Sequence, residues 1–281
     1  MSATRVPVVL LHGLTDSAAC WPSVRTRYAD RTVVALDARG HGGVPLPDEP
    51  FTIAALAADA AAALRELALG PALVVGHSMG GVTAEELALT APELVAALVL
   101  EDPAWHEDGR LGAAADDAGA VGLGGAEAAA APAVPRDDER GRPTWLGPAI
   151  ASFAGRTVEQ IAARGRLDNP DWPEDEILGW AQAKTGVDPR LAEVPHDWVA
   201  RDWVGALSGV RVPVTLLTAE PGRAVVTPGQ AARAASVLGI APDGLLTHAP
   251  VPGVGHNIRR EAPAAFLAAL DAAVARADAA A

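Results

Sequence analysis

Ser78 is the residue of this chain best placed by its neighbours to act as a nucleophile. It stands in Ala72–Val82, ALVVGHSMGGV, where the apolar run Leu73-Val74-Val75 meets Gly76-His77-Ser78-Met79-Gly80 and a helix-compatible stretch follows. The pattern G-x-S-x-G gains meaning from that setting, because a strand ends, one serine sits on a tight turn, and a helix begins. A serine on such a bend has a strained backbone, and side chains on either flank would strike the neighbouring strand and helix. Gly76 and Gly80 remove those side chains, and Gly81 leaves room for close helix packing. The expected result is a hydroxyl lifted into solvent at the carboxyl edge of a sheet. A glycine-rich turn with an incidental serine gives the same five letters, so the rest of the chain must decide.

A serine hydroxyl is a weak nucleophile near neutral pH and needs a base within hydrogen-bond reach, itself oriented by an acid. Of the seven histidines, His256 is the candidate base, in the small-residue loop Val254-Gly255-His256-Asn257 between the last strand and the last helix. His248 lies inside a strand and reads as structural. His12 and His41 sit on glycine-flanked loops and are expected to hold backbone by hydrogen bonds. His77 adjoins the nucleophile but should point away from it. His106 and His196 fall farther along, facing either solvent or substrate. The negative charge that develops during attack needs two backbone N–H donors. Met79, following the serine, would supply one, and the Leu14 amide in Leu11-His12-Gly13-Leu14 the other. An ordinary tight turn is the alternative reading of His12-Gly13.

These residues need elements to carry them. Val6–Leu11, Thr32–Leu36, Ala72–Val75, Leu94–Leu100, Val212–Thr218 and Leu245–Ala249 are short apolar runs suited to strands buried on both faces. Between them, Thr52–Leu69, Val82–Thr90, Thr227–Leu238 and Glu261–Ala275 read as helices, the first ended by Gly70-Pro71. Alternating strands and helices predict a parallel sheet covered on both faces, with sites at the carboxyl ends of its strands. Residues 105–209 break the alternation and read as a helical insertion, with 1–104 and 210–281 forming the core. Within the insertion, Leu111–Pro135 is rich in Ala, Gly, Asp and Pro, and Thr157–Ala163, Pro173–Ala183 and His196–Leu207 suggest short helices. Six of the seven tryptophans fall here: Trp105, Trp145, Trp172, Trp180, Trp198 and Trp203. They suit either a core of the insertion's own or an apolar pocket wall.

Half of the 281 residues are hydrophobic, enough for one large α/β domain with an insertion. A net charge of −13 speaks against binding nucleic acid or anionic membranes. The single cysteine, Cys20, excludes an internal disulfide framework. No targeting segment or membrane span is visible, and a cytoplasmic protein is expected. No Cys/His cluster points to a metal, and the chemistry requires no cofactor. Homo-oligomerisation is left open.

Four segments, in order, resemble the α/β-hydrolase family: LLHGLTDS its oxyanion loop, LDARGHG (Leu36–Gly42) its D-x-R-G-H-G segment, GHSMGG (Gly76–Gly81) its nucleophile elbow, and GVGHNI (Gly253–Ile258) its catalytic-histidine loop. The resemblance covers about 1–104 and 210–281. It implies an α/β-hydrolase fold, a mostly parallel sheet covered by helices, that begins here at the family's third strand and carries a helical cap after the sixth. It implies Ser78 as nucleophile, His256 as base, Leu14 and Met79 as amide donors, Asp37 and Arg39 as structural residues, and His41 near the site's mouth. One position departs. Many relatives carry the acid shortly after the strand that follows the cap, where this chain has Leu217-Thr218-Ala219-Glu220-Pro221-Gly222-Arg223, with glycine in the expected place. Other relatives take it from the preceding core strand, and Leu98-Val99-Leu100-Glu101-Asp102-Pro103 offers Asp102 there. Asp102 is the preferred acid, Glu220 the second choice, and Glu101 the third, because neighbours on a strand point to opposite faces.

The implied activity is acyl-transfer hydrolysis of a small to medium, mostly apolar ester or lactone, with Trp21 and Trp105 flanking the substrate unless they serve as core. Cleavage of a carbon–carbon bond, thioester or peptide, cofactor-free perhydrolysis, and a non-hydrolytic binding or tailoring role are the alternatives.

Overall fold

The computed structural model describes residues 5–105, 141–197 and 201–281; His106, Trp198 and Leu111–Pro135 lie outside them. The six apolar runs become six strands: β1 (Val8–Leu11), β2 (Val33–Leu36), β3 (Ala72–His77), β4 (Val95–Glu101), β5 (Val214–Thr218) and β6 (Leu246–Pro250). They form one sheet in the order β2-β1-β3-β4-β5-β6, and every pairing is parallel. The α/β-hydrolase fold read from the sequence is the fold observed.

The apolar runs are continuous because both faces of the sheet are covered. Along β1, Val9 and Leu11 enter one core while Val8 and Leu10 enter the other, as strand alternation requires. The first core is roofed by α2 (Ile53–Glu66), α3 (Met79–Thr90) and α8 (Pro228–Leu238). The second lies under α1 (Pro22–Arg27) and α10 (Pro263–Ala280). Side-chain caps fix several helix starts. Thr52 accepts from the Ala55 amide, and Thr227 forms a reciprocal capping box with Gln230.

Between β4 and β5 the described residues form α4 (Leu146–Phe153), α5 (Val158–Asp168), α6 (Glu174–Thr185) and the short α7 (Trp203–Ala206). α5 and α6 match the expected helices. Of the helix expected over His196–Leu207, residues 198–200 lie outside the described ones; among the rest, α7 forms, its start set by Asp202 accepting from the Gly205 amide. Trp172 and Trp180 build a small core of their own with Ile161 and Ile177. α1 and α4 were not foreseen, since each is under three turns long and gives little periodicity.

Strand order changes direction between β1 and β3. β1 leads to β2 on one side, and β3 takes up the other. The loops leaving β1 and β3 therefore diverge from adjacent strand ends, which is where open α/β sheets bind ligands. Those loops carry Leu14 and Ser78.

Candidate active site

Ser78 follows β3 and caps α3 with φ 52° and ψ −116°, a left-handed conformation that costs a non-glycine residue about 1–3 kcal/mol. The surroundings enforce it. The Ser78 amide donates to the Glu101 carbonyl at 3.1 Å, and its carbonyl accepts from the Gly81 amide at 2.9 Å. A Cβ at Gly80 would lie 2.1 Å from the Leu11 carbonyl oxygen, so α3 starts against the end of β1 only because glycine is there. The helix begins at Met79, three residues earlier than the apolar pattern suggested, which puts the Met79 amide at its N-terminus.

His256 reaches the same place from the loop after β6. Its Nδ1 lies 2.7 Å from Oδ2 of Asp102, which is wholly buried. Asp102 follows β4 with φ 40°. Its Oδ2 also accepts from the Val225 amide at 2.8 Å and its Oδ1 from the Val226 amide at 3.0 Å. This carboxylate therefore faces one imidazole and two neutral N–H groups. The rival acids are engaged elsewhere. Glu220 accepts from the Gly253 amide at 3.0 Å. Glu101, on the neighbouring strand position, is buried under Arg259, 3.1 Å from its guanidinium, and burial raises its carboxyl above the ordinary range despite that partner. Gly222, with φ 96°, shapes the turn before Val225 and Val226 and has open space where a side chain would project.

Ser78 and His256 line one cavity with Gly13, Leu14 and Trp145. Thr15, Asp16, His77, Lys184, Asn257 and Arg260 complete its wall, which is more polar than the sequence suggested. Neither Trp21 nor Trp105 is on it, and the substrate-flanking expectation for both is corrected. Trp21 is core, its ring 6.4 Å from that of Phe266 with the Arg259 guanidinium 4.5 Å from its centroid. Trp105 is core on the other face, its indole N–H donating to Glu85 Oε2 at 2.9 Å. Trp145, between β4 and β5, is the tryptophan among the described residues that reaches the cavity.

The other histidines divide as follows. His12 Nε2 accepts from the Ala38 amide at 3.0 Å and Nδ1 donates to the Gly13 carbonyl at 2.8 Å. His41 Nε2 accepts from the Thr15 amide at 3.1 Å and Nδ1 donates to the Arg39 carbonyl at 3.0 Å. Both roles need neutral rings. Burial, then the neighbouring His12, pushes the His41 pKa down to about 3. His41 is thus a buried brace of the loop after β1 and not a residue of the site's mouth. His77 does not point away. Its ring lies 4.6 Å from that of His256, and its Nε2 donates to the His256 carbonyl at 3.1 Å. His196 is buried beside Phe51, with Nε2 donating to the Leu191 carbonyl at 2.9 Å. Asp37 accepts from the Ala18 amide at 2.7 Å, and Arg39 pairs with Asp59, both structural as expected.

Sequence reasoning missed a buried charge cluster beside the cavity. Asp16 is paired with Lys184 at 3.1 Å, Arg259 at 3.0 Å and Arg260 at 2.8 Å. Burial alone would raise its carboxyl, but Arg260, Lys184 and Arg259 outweigh that and hold it well below the carboxylate range. Three elements distant in sequence supply these groups, so no local pattern betrays them. No group of three or more His, Cys, Asp or Glu suited to a metal ion occurs among the described residues. Nor is any described helix long and apolar enough to cross a membrane.

Residues 8–270 match the model of the "Alpha/beta hydrolase family". Over 102 residues the chain is 41% identical to the lipase LipV of Mycobacterium tuberculosis, covering 36% of this chain and 39% of that protein. Over 104 residues it is 41% identical to the sn-1-specific diacylglycerol lipase ABHD11 of Xenopus tropicalis, covering 36% of this chain and 32% of that one. The matched stretch thus spans well under half the length of these relatives. Among solved structures, an N-formylmaleamic acid deformylase of Pseudomonas putida superposes with a TM-score of 0.70 at 23% identity, over 96% of this chain and 93% of that one.

Proposed function

This chain belongs to the alpha/beta hydrolase family, and from that premise we propose that it is a serine hydrolase of carboxylic esters or lactones. The observation that carries this reading is the 2.7 Å contact between His256 Nδ1 and an Asp102 carboxylate held by neutral amides, on a histidine that shares a cavity with Ser78.

In the proposed reaction Ser78 Oγ attacks the substrate carbonyl and its proton passes to His256 Nε2. Asp102, hydrogen-bonded to Nδ1–H, orients the ring and stabilises the imidazolium. The Met79 and Leu14 amides hold the oxyanion of the tetrahedral intermediate. Collapse expels the alkoxide, which takes the proton from His256 and leaves an acyl-enzyme. Water then gives up a proton to His256, adds to the acyl carbon, and releases the acid with Ser78 regenerated. His77 supports the base by bonding to the His256 carbonyl. Residues 105–209 serve as the cap. The lipase relatives favour a small-molecule substrate with an apolar acyl part, and among the described residues Leu14 and Trp145 offer apolar walls to it.

A fluorophosphonate probe tests the reading. Wild-type protein is expected to label, Ser78→Ala not at all, and hydrolysis of p-nitrophenyl butyrate to vanish with the label. The rate should fall as pH drops through about 6–7, where an imidazole gains its proton. Labelling that persists in Ser78→Ala, or a rate unchanged down to pH 5, contradicts the assignment.

A further inference from the structure

The loop that carries the Leu14 amide is a tight turn. The Asp16 amide donates to the Gly13 carbonyl at 3.0 Å, with Leu14 and Thr15 at its centre. Thr15 has φ 64°. A positive φ at the third turn residue is a type II feature and calls for glycine or asparagine. A β-branched residue there is a genuine outlier that persists only when its surroundings over-determine it.

The overdetermining group comes from the insertion. Lys184, near the C-terminus of α6, is buried, and its Nζ donates to the Thr15 carbonyl at 2.9 Å, to Thr15 Oγ1 at 2.8 Å and to Asp16 Oδ1 at 3.1 Å. Those three acceptors use all three ammonium protons, so Lys184, although on the cavity wall, has no donor left for substrate. The same helix is seated closely on the segment after the turn. A Cβ at Gly179 would lie 2.4 Å from the Ala19 carbonyl oxygen, and the Gly179 carbonyl accepts from Cys20 Sγ at 3.6 Å. On the opposite side the Thr15 amide is held by His41 Nε2. Thr15 therefore has its N–H, C=O and side-chain hydroxyl all engaged, the last two by one cation from another part of the chain.

We propose that Lys184 is a positioning residue for the oxyanion hole: by clamping the Thr15 carbonyl and hydroxyl it holds the Gly13–Asp16 turn in the conformation that aims the Leu14 amide. The proposal rests on the reading of Leu14 as an oxyanion donor. It makes the docked insertion part of the machinery for stabilising the transition state. It also accounts for threonine where a turn of this shape favours glycine, because the hydroxyl is the second acceptor for the clamp.

Loss of a single oxyanion donor costs about a hundredfold to a thousandfold in rate, and a partial misplacement somewhat less. Lys184→Met is therefore expected to lower kcat for p-nitrophenyl butyrate by about tenfold to a hundredfold, with KM changed less than about threefold. Affinity for butaneboronic acid, whose adduct with serine places an oxygen in the oxyanion hole, should fall in parallel with kcat/KM. The decisive variant is the double substitution Lys184→Met with Thr15→Gly. Glycine adopts the positive φ without a clamp, so it should recover much of the lost kcat. A raised KM with unchanged kcat would make Lys184 a substrate contact and overturn the proposal. So would a kcat loss that Thr15→Gly does not relieve. Should Lys184→Met fail to fold, Thr15→Val removes only the hydroxyl acceptor; a fall in kcat and boronate affinity together supports the clamp, and unchanged values refute it. Ser78→Ala run alongside separates the two levels, since activity surviving there sinks the serine mechanism itself, whatever Lys184 does.

Discussion

Two buried aspartates serve neighbouring parts of this molecule in opposite ways. Asp16 meets three cations, Lys184, Arg259 and Arg260, which draw the loop after β1, the insertion helix α6 and the short helix α9 (Ile258–Glu261) together. Asp102 meets no cation of fixed charge among the described residues. It faces the Val225 and Val226 amides and the His256 ring. The difference teaches what each carboxylate is suited to. A negative charge already matched by three cations holds backbone in place but has little field to spare. One held by amide dipoles keeps its field directed at the adjacent imidazole and can stabilise the charge that ring acquires.

The largest effect should come from removing the charge that responds. Asp102→Asn is expected to lower kcat by about ten-thousandfold, while Glu220→Gln, which keeps an acceptor for the Gly253 amide, leaves it nearly unchanged. Steady-state rates on a p-nitrophenyl ester decide this, and the opposite ranking would transfer the acid role to Glu220. The charge used for fixing should register in stability first. Asp16→Asn leaves Lys184 and two arginines under-compensated in a buried site, with an expected loss of about 3–5 kcal/mol in denaturant unfolding. A loss under about 1 kcal/mol would mean that solvent reaches the cluster.

A third buried carboxylate sharpens the contrast because it has neither solution. Glu85, on α3, accepts from the Trp105 indole through Oε2, while Oε1 has no hydrogen-bond partner among the described residues. Burial pushes its pKa from the ordinary 4.5 up to about 8. The folded state thus binds this proton more tightly than the unfolded chain. Below about pH 4.5 both states hold it and no difference arises. As pH rises from about 4.5 to 8 the unfolded chain releases it and the fold loses stability. Glu85→Gln keeps an acceptor for the indole and has no proton to lose. Its stability relative to wild type should rise steadily between pH 5 and pH 8. Unfolding curves that keep a constant separation across that range would contradict the shift.

The candidate site was legible where its geometry is local. Gly80 is needed because α3 starts against the backbone of β1, and that demand is met within five residues of sequence. His256 was chosen from seven because a small-residue loop follows the last strand. Asp102 was recoverable despite Gly222, since the end of β4 lies beside the elbow in any sheet of this order. Trp21 and Trp105 failed as substrate contacts because proximity to a motif says nothing about which face a side chain takes. Both point into the helix-covered cores.

By itself, then, the sequence determined the strands, most helices, the bend at Ser78 and the histidine loop that shares its cavity, because hydrophobic period and backbone sterics act over a few residues. Only the tertiary structure decided that Lys184 reaches Thr15 and Asp16 across 169 and 168 residues of chain, and that Asp102 is solvated by amides while Asp16 is surrounded by cations. The physical reason is that a buried charge is tolerable only with partners, and which partners it finds is settled by how helices dock, a property that no short stretch of sequence contains.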